Sequence, residues 1–108
     1  MIYELRSYTA MPGKLPALLS RFTAVTTRFW AKHGIRQLGS WTVEIGNSNR
    51  RLYYILAWES LAEREARWEA FTADPEWIAE RSAGDQNGPL IDTIENTFLK
   101  PTGFSPLT

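Results

Sequence analysis

The sequence predicts an α+β fold in which a four-stranded antiparallel sheet carries helices on one face. Segments with the two-residue alternation of β-strands lie at about residues 2–9, 36–45, 52–58 and 91–99. Helical segments separate the first strand from the second and the third from the fourth, so the order of elements is β-α-β-β-α-β. The chain has 108 residues, the length of one domain, and we place a single domain over all of them.

The first half of the chain predicts one strand and one long helix. Alternation in the strand places Glu4, Arg6 and Tyr8 on one face. A turn at residues 11–14 contains proline and glycine and ends the strand. The run Lys32-His33-Gly34 ends the helix, because glycine readily takes the positive φ of a helix C-terminus. Between them lies one apolar stripe at helical spacing, formed by Leu15, Leu18, Leu19, Phe22, Val25, Phe29 and Trp30.

The second half predicts a hairpin, two helices and a final strand. The turn-forming run Gly46-Asn47-Ser48-Asn49 joins the second and third strands as an antiparallel pair. Ser60 and Glu63 have capping-box spacing and begin a helix that ends near Thr72. Asp74-Pro75-Glu76 begins a shorter helix, with aspartate as the cap and proline at the first helical position. The resulting arrangement is ferredoxin-like.

Composition argues against several classes of function. Twelve basic and twelve acidic residues give a formal net charge of zero, which argues against a nucleic-acid partner. Without cysteine there is no disulfide or thiolate metal site, and neither a metal motif nor a cofactor motif is present. No apolar run approaches the roughly 20 residues of a membrane span. The chain begins with a strand pattern instead of a signal peptide, so we expect a cytoplasmic location.

The sheet is predicted to pair with the sheet of a second copy. The third strand reads Leu-Tyr-Tyr-Ile-Leu-Ala-Trp over residues 52–58 and is apolar or aromatic on both faces. Helices cover only one of these faces, and the chain has no further layer for the other. A homodimer is the simplest cover, since two-fold homodimers are the commonest oligomers.

Several short motifs are distributed along nearly the whole chain. They are Met1-Ile2-Tyr3-Glu4-Leu5-Arg6-Ser7-Tyr8-Thr9, Pro12-Gly13-Lys14, Lys32-His33-Gly34, Gly39-Ser40-Trp41-Thr42-Val43-Glu44-Ile45-Gly46, Ser60-Leu61-Ala62-Glu63-Arg64, Asp74-Pro75-Glu76-Trp77, Glu95-Asn96 and Phe104-Ser105-Pro106-Leu107. Together they resemble the motifs of the NIPSNAP family, within the dimeric α/β-barrel superfamily. The resemblance implies a ferredoxin-like protomer that forms a barrel with its partner's sheet. It implies no set of catalytic residues, and the superfamily includes cofactor-independent monooxygenases as well as proteins without such activity.

Arg6 and Tyr8 are the first candidates for a ligand site. If their strand face lines the barrel, Arg6 offers a fork of donors and Tyr8 a phenolic donor to a ligand carboxylate or carbonyl. Glu95 is a further candidate for the same ligand site. Arg6 would otherwise pair with a carboxylate from another strand, Glu44 or Glu95. The sequence favours this second reading, a salt-bridge network at the dimer interface.

Three further residues are candidates for ligand contact. His33, the only histidine, could act as a general base at the rim of a pocket or as a lone haem ligand. A histidine that interacts with the free carbonyl groups of its helix end is the favoured alternative. Trp41 and Tyr54, with Trp58, could line a pocket for a flat apolar ligand, although aromatic residues on strands more often belong to a core or interface. The charged residues of the helix at 61–72 are expected to face water.

These features predict a homodimeric protein that binds a small apolar or acidic ligand, or a partner protein, without a cofactor. The alternative is a small cofactor-independent monooxygenase acting on a phenolic substrate inside the barrel. An enclosed cavity of a few hundred Å³ would favour a small-molecule site, whereas a filled interior would favour an interaction protein. We also expect the apolar tail segment at residues 104–107 to be docked on the fold.

Overall fold

The computed structural model describes all 108 residues and confirms the predicted α+β, ferredoxin-like fold. Four strands form one antiparallel sheet in the order β2-β3-β1-β4, so the first strand lies at its centre. No helix is long and apolar enough to span a membrane. The strands are β1 (Ile2–Ala10), β2 (Arg36–Thr42), β3 (Arg51–Trp58) and β4 (Ile91–Leu99). The helices are α1 (Leu15–Arg21), α2 (Thr27–Lys32), α3 (Leu61–Thr72) and α4 (Pro75–Gly84), with a π-helical segment (Phe22–Thr26) between α1 and α2.

The predicted long helix is continuous in space but contains this π-helical segment. The Thr27 backbone N–H donates to the Phe22 carbonyl, five residues earlier, and the Thr27 hydroxyl donates to the same oxygen at 3.0 Å. The local sequence Val25-Thr26-Thr27 explains the interruption. β-Branched side chains weaken helix propensity, and threonine hydroxyls compete for backbone carbonyls. Phe22 and Thr26 from this segment both reach the cavity described below.

The predicted starts of α3 and α4 and the predicted end of α2 are confirmed, whereas α4 continues to Gly84, into the segment that the sequence predicts as a loop. The Glu63 N–H donates to the Ser60 hydroxyl at 3.1 Å, and the Glu63 carboxylate accepts from the backbone of the residue before Ser60. Asp74 caps α4 by accepting from the Glu76 N–H at 2.9 Å. Gly34 ends α2 with a φ of +69°, a conformation that other residues rarely adopt.

Strand β2 is shorter than predicted. The expected strand continued to Ile45, but the ladder stops at the pair Thr42–Leu52, and the loop occupies residues 43–50. The run of turn-forming residues makes a connection longer than a two-residue hairpin turn, so the last residues of the predicted strand belong to the loop. Ile45 is consequently exposed.

The two faces of the sheet have different surroundings. The helix-side face carries Arg6 and its direct partner Tyr54, and it packs under the helices as the main core. The opposite face, here called the open face, meets no other element of the chain. Its apolar and aromatic side chains are half-buried or exposed: Tyr3, Leu5, Trp41, Tyr53, Ile55 and Leu99.

The C-terminal tail does not dock on its own protomer as expected. Phe104 is 90% exposed and Leu107 is also exposed. The tail is held only near its end, where the Tyr3 hydroxyl donates to the Thr108 carbonyl at 3.2 Å. Its apolar side chains therefore find no cover within one chain, since no element of the fold reaches them.

Candidate ligand-binding site

A cavity of about 480 Å³ lies between the helix-side face of the sheet and the helices. Strands β1 and β4 form its floor, and the helices with the π-helical segment form its walls. The inner lining is mainly aromatic and includes one arginine: Arg6, Tyr8, Phe22, Trp30, Trp68, Phe71 and Trp77. Charged side chains contribute to the remaining wall: Arg21, Arg81, Asp85 and Asp92.

Arg6 is the central polar group of the cavity and is only 7% exposed. Its Nε donates to the Tyr54 hydroxyl at 2.7 Å, its Nη1 to Glu4 Oε2 at 2.9 Å, and its Nη2 to the Tyr8 hydroxyl at 3.2 Å. The guanidinium carbon also lies 4.5 Å from the centre of the Trp68 ring, within range of a cation–π interaction. These contacts fix the guanidinium in one orientation.

Glu4 is fully buried and is the carboxylate that accepts hydrogen bonds in this network. Besides Arg6, it accepts hydrogen bonds from Arg64 at 3.2 Å, from the Trp58 indole at 3.1 Å and from the Asn96 amide at 3.0 Å. Burial raises the pKa of Glu4, but the hydrogen bonds from Arg64, Asn96 and Arg6 outweigh it and hold the pKa below its ordinary value. Glu4 is therefore a carboxylate at neutral pH.

Arg64 was expected to lie on a solvated helix face, and that expectation is wrong. Its guanidinium reaches from α3 down to Glu4, and its side chain is 22% exposed. It also packs 5.2 Å from the centre of the Trp68 ring, on which Arg6 stacks as well. The long aliphatic stem of arginine allows this approach from a surface helix, so charge alone did not reveal the contact.

Two tyrosines complete the polar network. The hydroxyl oxygens of Tyr8 and Tyr54 lie 2.9 Å apart and form a hydrogen bond. Burial raises the pKa of the Tyr54 phenol well above its ordinary value, so this hydroxyl keeps its proton. Tyr54 is fully buried behind the lining, whereas Tyr8 belongs to the cavity wall.

Trp30 brings a second kind of donor to the cavity. Its indole Nε1–H is buried and has no hydrogen-bond partner in the protein. The ring packs against Phe22 and Tyr54, with ring centres 5.6 and 5.0 Å apart. An unpaired buried donor costs about 1–3 kcal/mol, so this N–H is a costly feature unless something pairs with it.

An ion pair joins two parts of the cavity wall. Arg21 at the end of α1 donates from Nη1 to Asp85 Oδ1 at 2.8 Å, and Asp85 follows the end of α4. Arg21 is itself buried. The pair therefore holds the first and last helices together beside the cavity.

The structure brings together only some of the predicted site residues. Arg6 and Tyr8 line the cavity, and Tyr54 supports both from behind. His33 lies elsewhere, at the end of α2, where its Nε2 is 2.7 Å from Asp74 Oδ2. This partner is 41 residues away in sequence, so no short spacing could have indicated it.

The prediction that Arg6 pairs with Glu44 or Glu95 is wrong. Glu95 pairs in register with Ser7, so it lies on the open face, and Glu44 lies in the loop after β2. The true partner is Glu4, two residues before Arg6 on the same strand. Trp41 also lies on the open face, 53% exposed and opposite Tyr53. It therefore shares no pocket with Tyr54.

Four residues of the site were not among those predicted from the sequence: Trp30, Phe22, Trp68 and Arg64. The first two belong to the apolar stripe of the long helix, which is equally typical of a simple core. Trp68 lies on α3 between Arg67 and Glu69, and an aromatic residue between two charged ones was the one available signal. Nowhere do three or more histidine, cysteine or acidic side chains converge as metal ligands would.

The fold and the site define a small ferredoxin-like α+β protein with a ligand-sized cavity beside its sheet. The chain belongs to the NIPSNAP family, whose sequence profile matches residues 3–106. It is 33% identical over 101 residues to the mouse (Mus musculus) protein NipSnap homolog 3B, covering 92% of this chain. The aligned region is 39% of the length of that relative.

Solved structures of bacterial proteins share the whole fold. Protein Atu4242 from Agrobacterium tumefaciens superposes with a TM-score of 0.87 at 32% identity over 100% of both chains. A NIPSNAP domain protein from Burkholderia xenovorans gives a TM-score of 0.85 at 28% identity, over 98% of this chain and 99% of that one.

Proposed function

We propose that the protein binds a small, flat, mainly apolar molecule in the cavity between its sheet and helices. The observation that carries the proposal is the aromatic lining of a cavity of about 480 Å³ around one fixed arginine. Ligand sites typically have volumes of about 300–1,000 Å³ and combine an apolar lining with a few placed polar groups. Both properties occur together here.

The polar groups are organised as a site would require. A buried arginine held by three hydrogen bonds and stacked on Trp68 loses little further freedom when a ligand arrives. Aromatic walls give a flat molecule large contact areas with few rotatable bonds. The cavity is therefore preorganised for a small ring system.

We also propose that the protein works as a homodimer that joins two open faces. Leu5 and Ile55 lie side by side on this face, and Trp41 lies opposite Tyr53. An apolar sheet face without a covering layer is typical of an interaction surface. The exposed Phe104 of the tail would find cover on the second copy.

Binding can be tested with naphthoate as a probe, since its fused rings match the flat aromatic lining. Calorimetric titration of the full chain should show saturable binding, and the thermal midpoint should rise with probe concentration. The variant Ile94→Trp fills the cavity from the sheet side, where Ile94 is already half exposed, so it should fold but lose binding. The control Ala66→Trp adds the same side chain on an exposed part of α3 outside the lining and should bind normally.

Two results would change this proposal. If Ile94→Trp and the control bind alike, the probe lies outside the cavity and the proposal fails. Oxygen uptake in the presence of naphthol, measured with an electrode, would instead favour the monooxygenase alternative.

A further inference from the structure

We propose that the cavity recognises a hydrogen-bond acceptor, an anionic oxygen such as a carboxylate, through the Tyr8 hydroxyl, the Arg6 guanidinium and the Trp30 indole N–H. This inference rests on the proposed small-molecule function and names the chemical class of the ligand.

The two tyrosines contain one more proton than they can share. Arg6 can only donate, so Tyr8 and Tyr54 each accept from it, and neither can pass a proton back to it. One phenol proton serves the bond of 2.9 Å between the two hydroxyls. The other has no acceptor in the protein.

The position of that spare proton follows from burial. Tyr54 is fully buried and does not reach the cavity, whereas Tyr8 lines it. A spare proton on Tyr54 would be an unsatisfied buried donor, which costs about 1–3 kcal/mol. The arrangement in which Tyr54 donates to Tyr8 avoids this cost, so the spare proton belongs to Tyr8 and faces the cavity.

Arg6 and Trp30 add further donors at the same place. A guanidinium has five N–H bonds, and three of those on Arg6 serve Tyr54, Glu4 and Tyr8, which leaves two. The Trp30 N–H is buried without any partner. Tyr8 and Trp30 both line the cavity, and their rings pack on Tyr54 with ring centres 5.4 and 5.0 Å from it, so these two residues belong to the same part of the wall.

The buried groups near these donors offer no competing acceptor. Glu4 already accepts from Arg6, Arg64, Trp58 and Asn96 and does not line the cavity. Of the two acidic side chains in the lining, Asp85 is paired with Arg21 and Asp92 is exposed. The hydrogen-bond acceptor for these donors, here called the head group, must therefore be part of the ligand.

Charge makes that acceptor an anion. Two guanidinium groups, those of Arg6 and the partly exposed Arg64, face the single carboxylate of Glu4, so the cluster has one positive charge in excess. Hydrogen bonds between a charged donor and an anionic oxygen are about twice as strong as neutral ones. A ligand without an acceptor would displace water from these donors without replacing the lost hydrogen bonds.

The test compares naphthoate with ethylnaphthalene, which has a similar shape and no acceptor. Calorimetry on the wild-type chain should show that naphthoate binds at least about tenfold more tightly, as expected for hydrogen bonds to a charged group. Tyr8→Phe removes only the hydroxyl and should weaken naphthoate binding by about tenfold while leaving ethylnaphthalene unchanged. Trp30→Phe removes the N–H together with part of the ring, so it should weaken naphthoate binding more than ethylnaphthalene binding.

The control is Tyr53→Phe, the same chemical change on the open face, and it should change neither affinity. Circular dichroism melts identify any variant that has lost its fold, and Trp30→Phe then tests the inference independently of Tyr8→Phe. If both probes bind the wild type equally and neither variant separates them, the head-group inference is overturned and cavity binding stands. If no probe binds the wild type, the proposed function fails as well.

Discussion

Glu4 and Arg6, two positions apart on the central strand, form an ion pair of 2.9 Å beneath the helices. Each is buried, and each has further partners that stop it from being a lone charge in the core. The pair connects the architecture to the site, since Glu4 binds side chains of β3, α3 and β4 and Arg6 lines the cavity.

Arg6→Met should destabilise the protein at neutral pH by about 3 kcal/mol, the low end of the range for breaking a buried ion pair. Glu4 would lose one partner but keep Arg64, Trp58 and Asn96. The pKa of Glu4 in the folded protein lies below its ordinary value. The pairing of Glu4 therefore stabilises the fold fully at pH values above the ordinary pKa, and this stabilisation is lost as the pH falls through the lowered pKa. Urea unfolding should therefore show a smaller difference in unfolding free energy between wild type and Arg6→Met at about pH 3 than at neutral pH. Arg36→Met, at an exposed position, is the control and should have little effect.

Asp74→Asn should lower the thermal midpoint at neutral pH while α4 keeps a residue that can cap it. Hydrogen bonds from Lys32 and His33 hold the pKa of Asp74 below its ordinary value, so these contacts stabilise the fold above that value. They are lost as pH falls through the lowered pKa, and the difference from wild type should shrink in acid. Glu76→Gln, whose carboxylate is exposed and 3.9 Å from Lys32, should show little change at any pH. Equal midpoints for Asp74→Asn and wild type at neutral pH would contradict this role.

Gly34→Ala should destabilise the fold for two separable reasons. The backbone there has a φ of +69°, which costs an L-residue about 1–2 kcal/mol. An added Cβ would also meet Arg67 Nη1 at close range. In an Arg67→Ala background only the backbone cost should remain, so in a double-mutant cycle by chemical unfolding the double variant should lose less stability than the sum of the two single variants. Additive effects would show that Arg67 moves aside freely.

The local features of this fold could be predicted from the sequence, whereas the long-range ones could not. Ser60 with Glu63 and Asp74 with Pro75 act within one turn of helix, and the structure contains each of these caps. The shared face of Glu4, Arg6 and Tyr8 follows from strand alternation alone, and the register confirms it. Such features depend only on neighbours in the chain.

The site depends on contacts that no local pattern specifies. His33 meets Asp74 across 41 residues, and Arg64 meets Glu4 across 60. Trp30 has the spacing of an ordinary core residue, and only packing shows that its N–H has no partner. The π-helical segment that brings Phe22 and Thr26 to the cavity also arises from competition between hydrogen bonds that helical spacing does not reveal.

Trp41→Asp should convert the proposed dimer into folded monomers. Trp41 is 53% exposed on the open face, so a charge there is tolerated by one chain but not between two apolar faces. Light scattering should give about twice the chain mass of 12.4 kDa for wild type and the single mass for the variant. Leu61→Asp replaces a comparably exposed apolar residue on α3 and should remain dimeric. A wild-type monomer at low micromolar concentration would contradict the dimer.

Deleting residues 102–108 should weaken association if the tail finds its cover on the partner.

The location of the ligand can be read directly from the indole N–H resonances of the five tryptophans. Trp30, Trp68 and Trp77 line the cavity, whereas Trp41 lies on the open face. Titration of ¹⁵N-labelled protein with naphthoate should shift the Trp30 signal most, with smaller shifts for Trp68 and Trp77 and none for Trp41. A shift confined to Trp41, or saturable binding that leaves Trp30 unmoved, would contradict a binding site between the sheet and the helices.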